Sequence, residues 1–224
     1  MALSKVDYNS LNVTPAASKA LKWNSDADGF ETGDVGGSMV LIKTLTASSS
    51  SALSFVNGSS DVVLDNTYSV YKFVWLNIHP SAQEGDGNEF AFDVSINAGG
   101  AYDTVAKTSS YFIATHAEND TSTSFGHSDT GDASQGTGTQ YLSIDNDNDN
   151  DASNSGEMYL YNPSSTTYAK HFIAKNNYMH SSPLSINNYV GGYLNTTSAV
   201  DAVKFVFTGS CTIESGTIKM YGIL

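Results

Sequence analysis

The amino-acid sequence predicts an all-β protein: a jelly-roll-like antiparallel β-sandwich preceded by an extended N-terminal arm. Segments of strand length, apolar or alternating, recur along the chain, and clusters of Gly, Asn, Asp and Ser separate them. The regular alternation of strands with long amphipathic helices that builds a parallel sheet is not found in the sequence. The hydrophobic content of 40% is sufficient for a buried core, whereas charged residues make up only 15%. Together these features favour a sandwich of many short strands.

The first 37 residues differ from the rest in composition and hydrophobic pattern. We therefore divide the chain into an attachment arm at 1–37 and a sandwich domain at 38–224. Residues 16–22 suit a short helical turn, and the acidic, glycine-rich stretch after them suits a loop. Neither contains a hydrophobic pattern long enough to close a core, so we expect the arm to become ordered on a partner. Trp23 and Phe30 are the expected anchors, because aromatic residues contribute much of the energy of protein interfaces. A disordered leader is the alternative.

The predicted strands of the domain follow in series from residue 39. The first two end near a serine run and near an Asn-Gly pair, both of which favour turns. We interpret 117–140 as an extended surface loop, and 110–116 also suits a short helix. The predicted strands before the C-terminal pair are 39–46, 52–56, 68–79, 90–97, 110–116, 140–144, 157–161 and 168–174.

Segment 68–79 is the longest hydrophobic run and is apolar on both faces. Its alternation places Val70, Lys72, Val74 and Leu76 on one face and Tyr71, Phe73, Trp75 and Asn77 on the other. A strand of this kind belongs in the middle of a sandwich or at a subunit interface.

Two strands are predicted at the C-terminus, at 202–207 and 217–221. Gly209 and Gly216 are expected to supply the turn between them, because glycine tolerates turn conformations that other residues resist. Alternation in the last strand places Ile218, Met220 and Gly222 on one face and Lys219, Tyr221 and Ile223 on the other. We expect this strand to be paired within the sheet.

Charge argues against several classes of function. The formal net charge is −13, all ten basic residues are lysines, and arginine is absent. Recognition of phosphate and guanine favours arginine, and an acidic protein is repelled by nucleic acid, so we expect no nucleic-acid partner. The same charge argues against an anionic membrane, and no apolar run approaches the roughly 20 residues that span a bilayer. The N-terminus lacks the apolar core of a signal peptide.

A single cysteine, Cys211, excludes an internal disulfide framework and favours folding in a reducing cytoplasm. Its place beside a predicted strand end favours a small buried residue over a reactive thiol.

Several segments beyond Ser38 carry a family resemblance. They are GSMVLIKTLTASSSSALSFV, LNIHP at 76–80, EMYLYNPSSTTYAKHF at 157–172, GGYLNTT, and the ending SGTIKMYGI. In these segments the chain resembles virion structural proteins of marine tailed bacteriophages of the cyanophage type. That group includes fibre-like proteins and proteins that decorate the capsid or tail. These segments are marks of a fold and not a catalytic signature.

The resemblance implies a non-enzymatic virion protein, assembled in the host cytoplasm, whose arm binds other virion proteins. It also implies a homotrimer, for which the doubly apolar strand at 68–79 gives physical support. The first functional hypothesis is a fibre or appendage that contacts host surface glycans. The alternative is a capsid or tail decoration or connector protein that stabilises the particle and binds no host molecule. Small size and the lack of a long stalk allow this alternative.

Tyrosines accumulate in the second half of the chain. Exposed aromatic rings beside Asn and Asp are typical of carbohydrate-binding surfaces, where a ring stacks on a sugar face. The alternative is that these rings fill the sandwich or a subunit interface. The residues concerned are Tyr159, Tyr161, Tyr168, Tyr178, Tyr189 and Tyr193.

The run 145–151 is a candidate for weak calcium binding through Asp145, Asp147, Asp149 and Asp151. Alternating carboxylates and amides offer the oxygen ligands that calcium prefers. Counted as an EF-hand loop, however, the run has Asn150 where glycine is required and Gly156 where the final acid is required. A solvated turn is therefore the preferred interpretation, and we predict no metal site.

The histidines show no metal-ligand spacing, and they are His79, His116, His127, His171 and His180. The sequence His127-Ser128-Asp129 places three triad residue types side by side, but no G-x-S-x-G turn surrounds them. We therefore predict no catalytic residues and no cofactor. A pair of glycan-cleaving carboxylates is a third, weaker hypothesis, because separation in space is not visible in sequence.

Overall fold

The computed structural model describes residues 13–14, 19–33, 38–82 and 88–224, and the regular structure of these residues is entirely β-strand. The all-β prediction is confirmed. The chain forms two compact units, 1–38 and 39–224. The strands are β1 (Ala20–Trp23), β2 (Phe30–Gly33), β3 (Met39–Thr46), β4 (Leu53–Val56), β5 (Val70–Pro80), β6 (Phe90–Ser95), β7 (Lys107–Ala117), β8 (Thr123–His127), β9 (Ser134–Gly136), β10 (Gln140–Tyr141), β11 (Asn154–Tyr161), β12 (Lys170–His180), β13 (Leu184–Leu194), β14 (Ala202–Phe207) and β15 (Ile213–Ile223).

The first unit contains a β-hairpin, β1 paired with β2. Trp23 lies opposite Phe30, and their rings stack with centroids 4.4 Å apart. The Asn24 side chain closes the turn by accepting hydrogen bonds from two backbone N–H groups. Cross-strand aromatic contact and the Asn turn outweigh local helix propensity, so the predicted helical turn is wrong at 20–22. The rest of that prediction, 16–18 included, lies largely outside the described residues.

The second unit consists of two antiparallel sheets. The larger has nine strands in the order β3-β15-β5-β11-β12-β13-β7-β8, with β9 also paired to β7, and the smaller has the order β10-β6-β14-β4. The pairs β3–β15, β4–β14, β5–β11 and β6–β10 are nested along the chain. This nesting is the wrapping of a jelly roll. The remaining strands widen one of its two sheets.

The core lies between the inner faces of the two sheets. Phe73 from the large sheet contacts Phe55 and Phe205 from the small sheet, with ring centroids 5.4 Å apart in both cases. Phe92 and Phe172 make a similar contact at 5.0 Å. These edge-on and tilted contacts are the preferred aromatic geometries, and all five rings are fully buried.

Strand β5 differs from the prediction of two buried faces. Tyr71, Phe73 and Trp75 are fully buried against the small sheet, whereas Leu76 on the other face is 42% exposed. A positive φ of 52° at Asn77 accompanies a register irregularity that returns Ile78 to the core. One face of this strand therefore belongs to the surface of the large sheet.

The predicted loop at 117–140 is wrong in part, because β8 and β9 lie within it. Phe125 faces the neighbouring strand opposite Ala114, and the Gln135 amide donates hydrogen bonds to Thr108 Oγ1 and Tyr193 Oη. Long-range pairing with β7 therefore orders a polar segment that has little strand propensity of its own.

Strand β13 is absent from the prediction because its Asn and Gly residues are typical of turns. In the structure, Asn188 is buried and donates a hydrogen bond to the Leu142 carbonyl at 3.1 Å. A Cβ on Gly192 would lie 2.3 Å from the Thr108 carbonyl oxygen, so the close approach of β7 requires glycine. The prediction that Gly216 belongs to the turn before the last strand is wrong for the same reason. Gly216 has φ 114° and forms a bulge within β15.

Candidate functional site

The outer face of the large sheet, the face that points away from the small sheet, carries the candidate site. Strict alternation along β11, β12 and β13 sends one set of side chains into the core and the other set outward. The outward set includes exposed large side chains such as Ile173 and Tyr189, at 54% and 51% exposure. This face therefore presents apolar and aromatic side chains to solvent.

A groove of about 390 Å³ crosses the middle of this face. It lies over four adjacent strands, because Val74, Glu157, Lys175 and Tyr189 are direct cross-strand neighbours in β5, β11, β12 and β13. Its lining consists of Val74, Trp75, Leu76, Ser155, Gly156, Glu157, Lys175, Asn176, Asn177, Asn187 and Tyr189. The mixture of apolar surface with amide and charged groups is typical of small-ligand sites.

The charged groups of the groove, Glu157 and Lys175, form a small network with Lys72 of β5. Glu157 Oε2 lies 2.6 Å from Lys72 Nζ, and Glu157 Oε1 lies 3.0 Å from Lys175 Nζ. Burial raises the pKa of Glu157, but the hydrogen bonds and charges of the two lysines outweigh that effect and hold the pKa below its usual value. The carboxylate is therefore ionised at neutral pH, and two ammonium groups share it.

Aromatic rings flank the groove on both sides. Tyr159 and Tyr161 stack with centroids 6.4 Å apart, and the Lys72 ammonium lies 5.0 Å from the Tyr159 ring centre. On the other side, Tyr189 lies opposite Phe112, which stacks on Phe125 at 6.4 Å. Exposed ring faces beside polar groups are the combination that recognises sugars.

The structure separates the six predicted tyrosines. Tyr159, Tyr161, Tyr189 and Tyr193 share the outer face, and Tyr168, at 71% exposure, precedes β12. Tyr178 does not belong to this set, because it is buried in the core, where its hydroxyl accepts a hydrogen bond from the Ile144 N–H and burial raises its pKa to about 12. Sequence reasoning missed Lys175, Glu157 and the groove asparagines, which become neighbours only through strand register.

The run 145–151 contributes a structural residue and no cluster of carboxylates. Asn146 is buried, its amide donates to the Asn88 carbonyl at 2.7 Å, and its Oδ1 accepts from Ser143 and Asn154. Asn154 also accepts a hydrogen bond from Trp75 Nε1 at 2.8 Å. No three acids of this run come within joint reach of one cation. The Asn146 side-chain amide therefore links this surface turn to the core by hydrogen bonds.

We expect Asn146→Ala to destabilise the domain by about 1–3 kcal/mol, because buried hydrogen-bonding groups lose their partners. Asp149→Ala, at an exposed position of the same turn, should change stability little.

Calcium should leave the melting temperature of the wild type almost unchanged. Thermal and urea denaturation of the three proteins, with calcium and with EDTA, measure these effects. A calcium-dependent rise of several degrees that Asp149→Ala removes would contradict this expectation.

His127 is the centre of the one group of three potential metal ligands found among the described residues. Its Nδ1 lies 3.0 Å from Asp129 and its Nε2 lies 3.3 Å from Asp132. Each ring nitrogen thus already faces a different carboxylate, so we assign no metal to this exposed cluster. The Ser128 backbone N–H donates a hydrogen bond to the Tyr111 carbonyl.

The other histidines and the cysteine have separate surroundings. His79, His116 and His180 each lie near a different carboxylate, those of Glu214, Asp120 and Asp145. The His171 ring lies beside Tyr193 on the outer face. Cys211 is buried and free, which confirms its prediction as a small core residue.

Comparison with protein families, with curated proteins and with solved structures finds no match for this chain. In the part of the chain that the structure describes, no helix is long and apolar enough to cross a membrane.

Proposed function

We propose that this protein is a non-enzymatic structural protein of a tailed-phage particle, a fibre or appendage subunit that contacts host surface glycans. The observation that carries this proposal is the groove on the outer face, where Tyr189 and its aromatic neighbours stand beside lysine, glutamate and asparagine side chains. The resemblance of the sequence to phage virion proteins supports the biological setting.

The arrangement of charged groups supports binding over catalysis. Glu157 is held by two lysines, which stabilise its ionised form and oppose a role as general acid. A retaining or inverting glycosidase needs a second carboxylate facing the first across the substrate. Among the residues that line the groove, Glu157 is the only acid.

Assembly into a homotrimer is the second part of the proposal. Strand β3 is an edge of the large sheet, and its residues Met39 and Leu41 are 46% and 52% exposed. An apolar edge strand promotes pairing with another chain unless it is covered. The same edge would also serve a capsid or tail decoration protein, which needs protein partners and no glycan.

Two measurements on the purified full-length chain test the proposal. Light scattering coupled to size-exclusion chromatography should give three times the chain mass of 23.8 kDa. An array of neutral and acidic bacterial and algal glycans should show binding that Tyr189→Ala weakens, with Tyr168→Ala, an exposed tyrosine outside the groove lining, as the matched control. Absence of binding to any glycan would favour the decoration protein.

A further inference from the structure

The outer face of the large sheet has a charge balance opposite to that of the chain. Strands β5, β11, β12, β13 and β15 contain four lysines, Lys72, Lys170, Lys175 and Lys219, and two glutamates, Glu157 and Glu214. The whole chain has 10 lysines against 23 acids. Lys170 is buried, so three of these lysines remain outside the core, against Glu157 in the middle of the face and Glu214, whose side chain is 52% exposed. This face is therefore a locally cationic surface on an acidic protein.

Around Glu157, the positive charges exceed the negative charge by one. Lys72 and Lys175 both contact the single carboxylate of Glu157. The Lys72 side chain is only 17% exposed, whereas that of Lys175 is 60% exposed. Lys72 alone can neutralise Glu157, so the exposed Lys175 ammonium is available to a second anion.

Lys175 is placed next to the exposed aromatic ring of the groove. It lies directly opposite Tyr189 in the β12–β13 ladder, where side chains of facing residues are about 4.5–5.5 Å apart at Cβ. Asn177 and Asn187, the next facing pair on the same side, also line the groove. Asn177 Nδ2 donates to Asn187 Oδ1 and to the Ile186 carbonyl, so the pair offers Asn177 Oδ1 and Asn187 Nδ2 to a ligand. The Tyr189 ring, the Lys175 ammonium and the two asparagine amides therefore lie on neighbouring positions of the same sheet face.

We propose that the groove binds an acidic sugar, a hexuronate unit of a polysaccharide, with its ring on Tyr189 and its carboxylate at Lys175. This inference rests on the proposed glycan-binding function and specifies its ligand class. A sugar ring fits the Tyr189 face, its hydroxyl groups match the asparagine amides, and its carboxylate meets the Lys175 ammonium, which shares the Glu157 carboxylate with Lys72. The formal net charge of −13 opposes the approach of an acidic polymer, so the attraction has to come from the lysines of this face.

The test compares each acidic oligosaccharide with its own carboxyl-reduced form. The probes are oligogalacturonate, oligomannuronate and oligoglucuronate, titrated by calorimetry against the full-length wild type, Lys175→Met and Lys219→Met. We expect at least one oligouronate to bind at least about tenfold more tightly than its reduced form. A hydrogen bond to a charged group changes affinity by about that factor. Lys175→Met should remove this preference, so that the acidic and the reduced forms bind this variant with equal affinity. Lys219→Met, at a lysine of the same face outside the groove lining, should preserve the preference.

The outcomes separate this inference from the proposed function. Equal binding of acidic and reduced forms, or a preference that survives Lys175→Met, would overturn the acidic-sugar site and leave a glycan-binding protein. Binding on the glycan array to neutral glycans alone would have the same meaning. Failure of the wild type to bind any glycan would overturn both proposals. Melting curves of the variants, in which Glu157 keeps Lys72 as its partner, verify that each is folded.

Discussion

Deletion of residues 217–224 is expected to abolish the folded sandwich domain. These residues form most of β15, which lies between β3 and β5 and pairs with both. Strand β3 has β15 as its sheet partner, so the deletion would leave β3 unpaired and expose the edge of β5. Ile218 and Met220 are fully buried, and each such side chain contributes on the order of 1.5–3 kcal/mol. The stability of a domain is about 5–15 kcal/mol, so the combined loss should unfold the protein.

Point variants in β15 make the same expectation quantitative. Met220→Asp places a carboxylate among buried apolar groups and should reduce soluble yield nearly as much as the deletion. Lys219→Ser changes the adjacent residue, which points to the outer face, and should have a small effect. Soluble yield and melting temperature of the three variants are the measurements. A cooperative thermal transition in the protein that lacks 217–224 would show that the fold does not depend on this strand.

The second large effect is expected at a buried ion pair that joins the two sheets. Asp93 in β6 and Lys107 in β7 are fully buried, with Oδ1 and Nζ 2.5 Å apart. Lys107 also donates to the carbonyls of Val105, Thr137 and Gly138, at 3.0–3.2 Å. Burial raises the pKa of Asp93, and the charge and hydrogen bond of Lys107 oppose this rise. The carboxylate therefore depends on Lys107 for compensation.

Asp93→Asn should destabilise the domain by about 3–5 kcal/mol, because it leaves the Lys107 ammonium buried without a counter-charge. Asp120→Asn is the matched control, since Asp120 pairs with His116 on the exposed surface and such pairs contribute about 0–1 kcal/mol. Urea denaturation of both variants gives the two free energies of unfolding. Equal losses in the free energy of unfolding would show that the buried ion pair contributes no more to stability than the exposed one.

Where a local pattern was strong, the sequence predicted the structure well. The strands at 39–46 and 202–207 agree with β3 and β14, because β-branched and aromatic side chains dominate both. The alternation predicted that Ile218 and Met220 share one face of the last strand, and both side chains are fully buried. Nested pairing of the first strands with the last ones gives the predicted jelly roll.

Strands with weak local patterns were visible only in the tertiary structure. Strand β13 contains asparagine and glycine, residues typical of turns, and it is a strand because β12 and β7 supply partners on both sides. Buried Asn188 and the close backbone contact at Gly192 make those residue types favourable there. The turn-like composition of 145–151 likewise concealed Asn146, whose importance comes from hydrogen bonds to residues distant in sequence.

The candidate site depended on tertiary structure even more strongly. The sequence determined that exposed tyrosines and lysines exist, but strand register decided that Glu157 lies beside Lys175 and Lys175 beside Tyr189. It also decided that Tyr178, one of the predicted tyrosines, lies in the core. Register is a property of paired strands, because a slip of one residue would exchange the inner and outer faces. The sequence alone therefore determined an all-β protein with a large core, and only the pairing of distant strands placed a charged and aromatic groove on its surface.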